Sequence, residues 1–281
     1  MNCLVCGKNA MTPLYGATLM ECSECSFITT NMEIDVNVLR SLYKDFFHTQ
    51  FVFDYKGTRR SRQIDFTRKI SKILRYVDES SIADVLEIGC AYGFFGEVLT
   101  RRLEGRPRYT GIDISPEPIE YGSKELGLDV LCGDYLAYDF GRRFSDIFMW
   151  DTIEHLLRPQ DFVAKIASDL IPGGRLYIGT PNIKSLLARI RGRKWRNIIP
   201  PAHLHYFSPM SIRRLLENYG LHTLYIGHPP VYRSLKLVWY HLVAKKTNAR
   251  LAFAILNLIP EGLAFPLNTY DNMLVMAVKP A

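Results

Sequence analysis

The stretch Val85-Leu86-Glu87-Ile88-Gly89-Cys90-Ala91-Tyr92-Gly93 decides the fold. A short apolar strand opening at Ile82 runs into a glycine-bearing turn, and an amphipathic helix over Phe94–Leu103 follows. A dinucleotide fingerprint needs G-x-G-x-x-G, so that the backbone can approach a pyrophosphate. Here Gly89 is followed by Cys90 and Ala91, and the next glycine is Gly93. The pattern Glu87-x-Gly89-x-x-x-Gly93 suits a ligand without phosphates.

Downstream, strands and helices alternate. Strands are expected at Tyr109–Asp113, Val130–Cys132, Asp146–Trp150 and Arg175–Gly179, the last reached through Pro172-Gly173-Gly174. Ser115-Pro116 opens a helix with a cap residue and a first-turn proline, a second helix covers Pro159–Leu170, and Ser208-Pro209 starts a third that ends at Gly220. Leu221–Ile226 and Asn272–Val278 complete seven strands. Such alternation implies an α/β fold: a doubly wound, mostly parallel sheet with helices on both faces. Two connections are long, 180–207 and 227–271, and both leave the carboxyl ends of strands, where open α/β sheets bind ligands.

The glycine turn resembles motif I of class I S-adenosylmethionine-dependent methyltransferases, closest to the group with an EIGCGxG-like turn. The resemblance implies a Rossmann-like seven-stranded sheet with its last strand antiparallel. It implies S-adenosylmethionine as cofactor, bound by Glu87, Gly89, Cys90, Ala91, Gly93, Asp113, Ile114, Asp134, Tyr135 and Asp151. Physically, a glycine turn removes bulk, and amides at the next helix N-terminus can meet a carboxylate. Glu87 would act on the ammonium directly, through water, or by bracing the turn. Asp113, ending the second strand, can accept both ribose hydroxyls, and Gly133-Asp134-Tyr135 stands where the family holds adenine.

Trp150-Asp151-Thr152-Ile153-Glu154-His155-Leu156 carries a Glu-His pair similar to that of many small-molecule methyltransferases. The Asn/Asp-Pro-Pro-aromatic motif of exocyclic-amine methylation and a Pro-Cys nucleophile are both missing there. For an alcohol or phenol acceptor, a histidine is the usual proton acceptor near neutral pH. The run His203-Leu204-His205-Tyr206-Phe207-Ser208 resembles an "H-x-x-x-F-S" element of the same group, and Trp195 matches its "KW". His203 is therefore the first catalytic candidate, with His155 and His205 after it; a hydrogen-bonded structural histidine is the alternative for each.

Cys3-x-x-Cys6 and Cys22-x-x-Cys25 supply four thiolates at the spacing of a closed, structural Zn²⁺ site. The segment also resembles the zinc-binding N-terminal module of methyltransferases from secondary-metabolite and surface-saccharide pathways. Cys90 and Cys132 read as small buried apolar residues. The expected organisation is a zinc module over 1–30, a helical linker or cap over 31–80 (runs at Leu39–Phe47 and Gln63–Tyr76), and a catalytic domain over 81–281 with insertions at 180–207 and 227–271.

Of the chain's +7 net charge, the span 186–250 holds twelve basic residues against one acid, Glu217, so the rest is acidic on balance. That concentration suits an anionic partner or a solvated face. Ser234–Ala244 and Leu251–Phe265 could form a helical lid over a hydrophobic acceptor, or a peripheral membrane contact. No signal peptide is evident and no apolar run nears the ~20 residues of a membrane span, so a cytoplasmic protein is expected. O-methylation of a small-molecule, saccharide or lipid-like acceptor leads. An RNA methyltransferase using the zinc module and basic surface comes second, and a non-catalytic partner-binding protein third.

Overall fold

In this computed structural model the residues described are 1–32 and 58–281, except 241–242, 244–246, 248–250, 252–253, 256–257 and 261–262. The expected helical run at Leu39–Phe47 lies outside the described residues. The chain opens with three short strands, β1 (Met11–Leu14), β2 (Leu19–Cys22) and β3 (Ile28–Thr30), and then α1 (Arg59–Ile73). The doubly wound region follows: β4 (Asp84–Ile88), α2 (Phe94–Arg102), β5 (Arg108–Asp113), α3 (Pro116–Lys124), β6 (Val130–Cys132), β7 (Phe144–Trp150), α4 (Pro159–Asp169) and β8 (Leu170–Pro181). The remainder comprises α5 (Leu186–Arg191), β9 (His205–Tyr206), α6 (Pro209–Glu217), β10 (His222–Gly227), β11 (Val231–Ser234), α7 (Leu235–Trp239), β12 (Ala264–Leu267) and β13 (Asn272–Val278).

The main sheet has the order β10-β13-β8-β7-β4-β5-β6. Only β13 runs antiparallel to its neighbours, as expected for a last strand that returns between two parallel ones. Every residue of β7 is buried, because central parallel strands are covered on both faces. Phe95 of α2 packs on Phe148 at 4.7 Å and on Trp150 at 5.3 Å, and Phe66 of α1 reaches Phe95 at 5.5 Å. α1 thus packs on the face of the sheet that carries Phe148 and Trp150. Register then places the site. Ile88 pairs with both Ile112 and Met149, Asp113 with Cys132, and Trp150 with Gly179. The residues that follow β4, β5, β6 and β7 therefore emerge side by side at one edge.

Three features differ from the sequence reading. No strands were expected in residues 1–30, yet β1, β2 and β3 form an antiparallel sheet completed by β9, a strand from the catalytic domain. In the long connection 227–271, β11 and β12 pair as an antiparallel hairpin (Val231 with Leu267), so the helical expectation for Leu251–Phe265 fails at its end, where Ala264 and Phe265 are strand. Cys90 is buried as expected, but Cys132 is exposed because β6 is the sheet's edge strand. Among the described residues, no helix is long and apolar enough to cross a membrane.

Candidate active site

A cavity of about 330 Å³ opens where the carboxyl ends of β4, β5, β6 and β7 meet. It is lined by Glu87, Gly89, Cys90, Ala91, Asp113, Ile114, Asp134, Tyr135 and Asp151, nine of the ten expected donor residues. The backbone of the first turn alternates through left-handed conformations at Gly89 (φ 74°), Ala91 (φ 45°) and Gly93 (φ 75°). A Cβ at Gly89 would stand 2.4 Å from Thr152 Oγ1, so only glycine fits there. Ala91 has a Cβ in the same backbone region; such strain collects at functional sites. Gly93 does not line the cavity. It is the N-cap of α2 and lies against Leu128, so its role is to shape the turn rather than to touch a ligand.

Asp113 accepts hydrogen bonds from the Ala91 amide (3.0 Å, Oδ2) and the Ser115 amide (2.9 Å, Oδ1), which fixes the carboxylate across the turn. Burial raises its pKa, and these amide bonds oppose the shift. Glu87 is buried and accepts a hydrogen bond from Tyr109 Oη. Burial pushes its pKa up to about 8, the Tyr109 bond opposes this, and the Asp113 charge adds to it. Glu87 thereby ties β4 to Tyr109 of β5. Asp134 caps the turn Tyr135–Ala137 by accepting from the Leu136 amide at 3.0 Å.

At the cavity's other end stand His155 and His203, their rings 4.7 Å apart and nearly perpendicular. His203 Nδ1 lies 2.8 Å from the Asn197 carbonyl oxygen, which can only accept. The proton of the neutral ring is therefore on Nδ1, and Nε2 keeps the lone pair. His155 Nδ1 is likewise 2.7 Å from the Ala202 carbonyl. Burial holds both rings neutral. It lowers His155 to about 3, with His203 adding to the shift, whereas at His203 the Asp151 charge opposes the lowering. Behind them Glu154 is buried, one oxygen accepting from Thr180 Oγ1 at 2.9 Å while Oε1 has no hydrogen-bond partner among the described residues. Burial, then the charge of Asp151, pushes Glu154 up to about 8. Glu154, His155 and His203 offer ligand atoms within 4.8 Å of one another. His205 is not brought to the cavity: its ring packs 5.3 Å from Phe27, with Nδ1 3.0 Å from Thr29 Oγ1, because His205 lies in β9 and pairs with Thr29 of β3, whereas His203 lies in the loop before that strand.

A family model described as "Methyltransferase domain" matches residues 56–226. This chain belongs to that family. It carries an S-adenosylmethionine-dependent methyltransferase domain. The methyltransferase is 27% identical over 167 residues to the ubiquinone biosynthesis O-methyltransferase of Coxiella burnetii, a match covering 54% of this chain and 70% of that protein. It is 28% identical over 138 residues to the mitochondrial ubiquinone biosynthesis O-methyltransferase of Schizosaccharomyces pombe. That match covers 46% of this chain and 48% of the yeast protein, so the chain spans about half of that relative's length. The magnesium protoporphyrin IX methyltransferase of Synechocystis, solved with bound SAH, shares the fold at a TM-score of 0.55 and 13% identity, over 85% of this chain and 99% of that one.

The methyltransferase places its four N-terminal cysteines together. Cys3 and Cys25 Sγ are 3.5 Å apart, Cys6 and Cys22 Sγ 3.6 Å, and all four lie within 4.8 Å of one another. A tetrahedron with metal–sulfur bonds of ~2.3 Å has edges of about 3.8 Å, so the cage fits one Zn²⁺. Sequence reasoning missed Arg62 and Phe66 of α1, Phe162 and Ile199, all of which line the cavity. Nothing in their local spacing marks them as one site, since they arrive from α1, from α4 and from the loop that holds Ile199.

Proposed function

We propose that this methyltransferase moves the methyl group of S-adenosylmethionine to a hydroxyl oxygen of a small acceptor, with His203 receiving the hydroxyl proton. One observation carries the reading: a single cavity is lined both by Gly89 and Asp113 and by His203, whose Nδ1 is engaged by the Asn197 carbonyl. The donor, when bound, supplies a sulfonium methyl for in-line displacement. The chain's part is alignment and exclusion of water, which together can account for most of such a rate. Asp113 holds ribose hydroxyls with the lone pairs its two amide donors leave over. The Gly89–Ala91 backbone lets the donor approach closely, and Asp134 with the Tyr135 amide takes the adenine edge. His203 is a better proton acceptor than His155, because Asp151 favours its charged form, while burial and the neighbouring His203 disfavour the charged form of His155. The relatives' printed activity, O-methylation, supports the hydroxyl. The zinc module is structural, its four sulfurs leaving no open coordination position.

Asp113→Ala tests the donor site. Calorimetry with S-adenosylhomocysteine should show at least a ten-fold loss of affinity, with the circular dichroism spectrum unchanged. Binding within two-fold of the unmodified protein would remove Asp113 from the site and the donor assignment with it.

A further inference from the structure

The cysteine module does not hang from the catalytic domain; it is stitched to the loop that carries His203. Thr29 of β3 pairs with His205 of β9, and Ile28 with Tyr206. The peptide of Leu204, between the two histidines, is held on both sides. Its carbonyl accepts from the Thr30 amide at 2.8 Å, and its own amide donates to the Glu154 carbonyl at 2.9 Å. One residue thus bridges the module to the Glu154–His155 turn. The cage lies only two residues upstream: the Cys22 amide donates to the Phe27 carbonyl (2.8 Å), and the Ser26 amide to the Cys22 carbonyl (2.9 Å). Phe27, fully buried, then packs on His205 and Phe207 at 5.3 and 5.4 Å.

We infer that the four-cysteine module is a positioning element of the acceptor site, acting through Thr29, Thr30 and Leu204 on His203 and His155. Donor binding stays independent of it, because the Gly89 turn and Asp113 are fixed by bonds within β4 and β5. Loss of the cage therefore loosens one end of the cavity and spares the other. The inference rests on the acceptor assignment above only for its catalytic meaning; the mechanical coupling stands without it.

Amide hydrogen exchange read by mass spectrometry on the full chain tests the coupling without needing an acceptor. Thr29→Val keeps the β-branched shape and leaves the cysteines untouched, but removes the hydroxyl that meets His205 Nδ1 and the Leu204 carbonyl. Exchange in peptides covering 150–158 and 200–207 should rise at least ten-fold in Thr29→Val and in chelator-treated protein, and return to normal in Thr29→Ser. Peptides covering 85–95 and the affinity for S-adenosylhomocysteine should stay within two-fold. Unchanged exchange at 200–207 in both Thr29→Val and stripped protein would overturn the inference, as would equal loosening of 85–95. Failure of the hydroxyl-transfer reading would appear separately, as methyl transfer unaffected by His203→Gln while the exchange coupling persists.

Discussion

Replacing Gly89 by alanine should damage both ends of the cavity through one contact. Gly89 has φ 74°, a region that costs an L-residue ~1–2 kcal/mol. The new Cβ would also stand 2.4 Å from Thr152 Oγ1 and 2.9 Å from Thr152 Cγ2, and overpacking of that kind costs about 1–3 kcal/mol. The two contributions give a loss on the order of 2–5 kcal/mol, or a fall in Tm of roughly 4–20 °C at ~2–4 °C per kcal/mol. Thr152 cannot yield freely, since Oγ1 donates to the Trp150 carbonyl at 3.0 Å and the chain runs straight on to Glu154 and His155. Thr152→Ala removes both overlapping atoms and leaves only Cβ, at 3.2 Å. In a double-mutant cycle followed by thermal melting, Gly89→Ala with Thr152→Ala should be about 1–3 kcal/mol more stable than the two single changes predict. The backbone contribution of ~1–2 kcal/mol should remain. Additivity within about 0.5 kcal/mol, or a Gly89→Ala protein that melts with the parent, would refute the steric account.

Two further outcomes follow from buried groups. Glu87 and Glu154 have pKa values of about 8 in the folded chain against an ordinary 4.5, so their contribution is present at low pH and is lost as pH rises toward 8. His155 and His205 are lowered to about 3 and about 4 from 6.5, so theirs is present above 6.5 and lost as pH falls. The opposing slopes cancel between about 4.5 and 6.5 and leave the glutamates alone above it. Melting temperatures should therefore form a plateau and decline from pH 6.5 to 8, less steeply in Glu87→Gln; a rise over that interval would contradict the burial of both acids. For the cysteine cage, elemental analysis should find one zinc per chain, lost in Cys3→Ser and in Cys22→Ser. Equal metal content in parent and variants would dismiss the four-thiolate site.

What the sequence determined is local and periodic. The Glu87-x-Gly89-x-x-x-Gly93 spacing excluded a pyrophosphate turn, and the alternation beyond Ile82 set the sheet's strands to within a few residues. Backbone sterics explain why: left-handed turn positions favour glycine, as at Gly89 and Gly93, and strands buried on both faces are rich in apolar residues. The paired C-x-x-C knuckles were equally legible, because ligand spacing is itself a local constraint. Three histidines within one chemistry could not be separated in this way. His205 belongs to the two-residue strand β9 and His203 to the loop before it, and β9 pairs with β3, some 175 residues earlier. Partner strand and burial are long-range facts, and they turned His205 toward the module while leaving His203 in the cavity. The tertiary structure likewise decided that Arg62 and Phe66 face the donor turn, that Gly93 shapes it without lining it, and that the cysteine module supports the acceptor end. Each depends on elements distant in sequence meeting in space, for which no residue pattern in this one chain provides a signal.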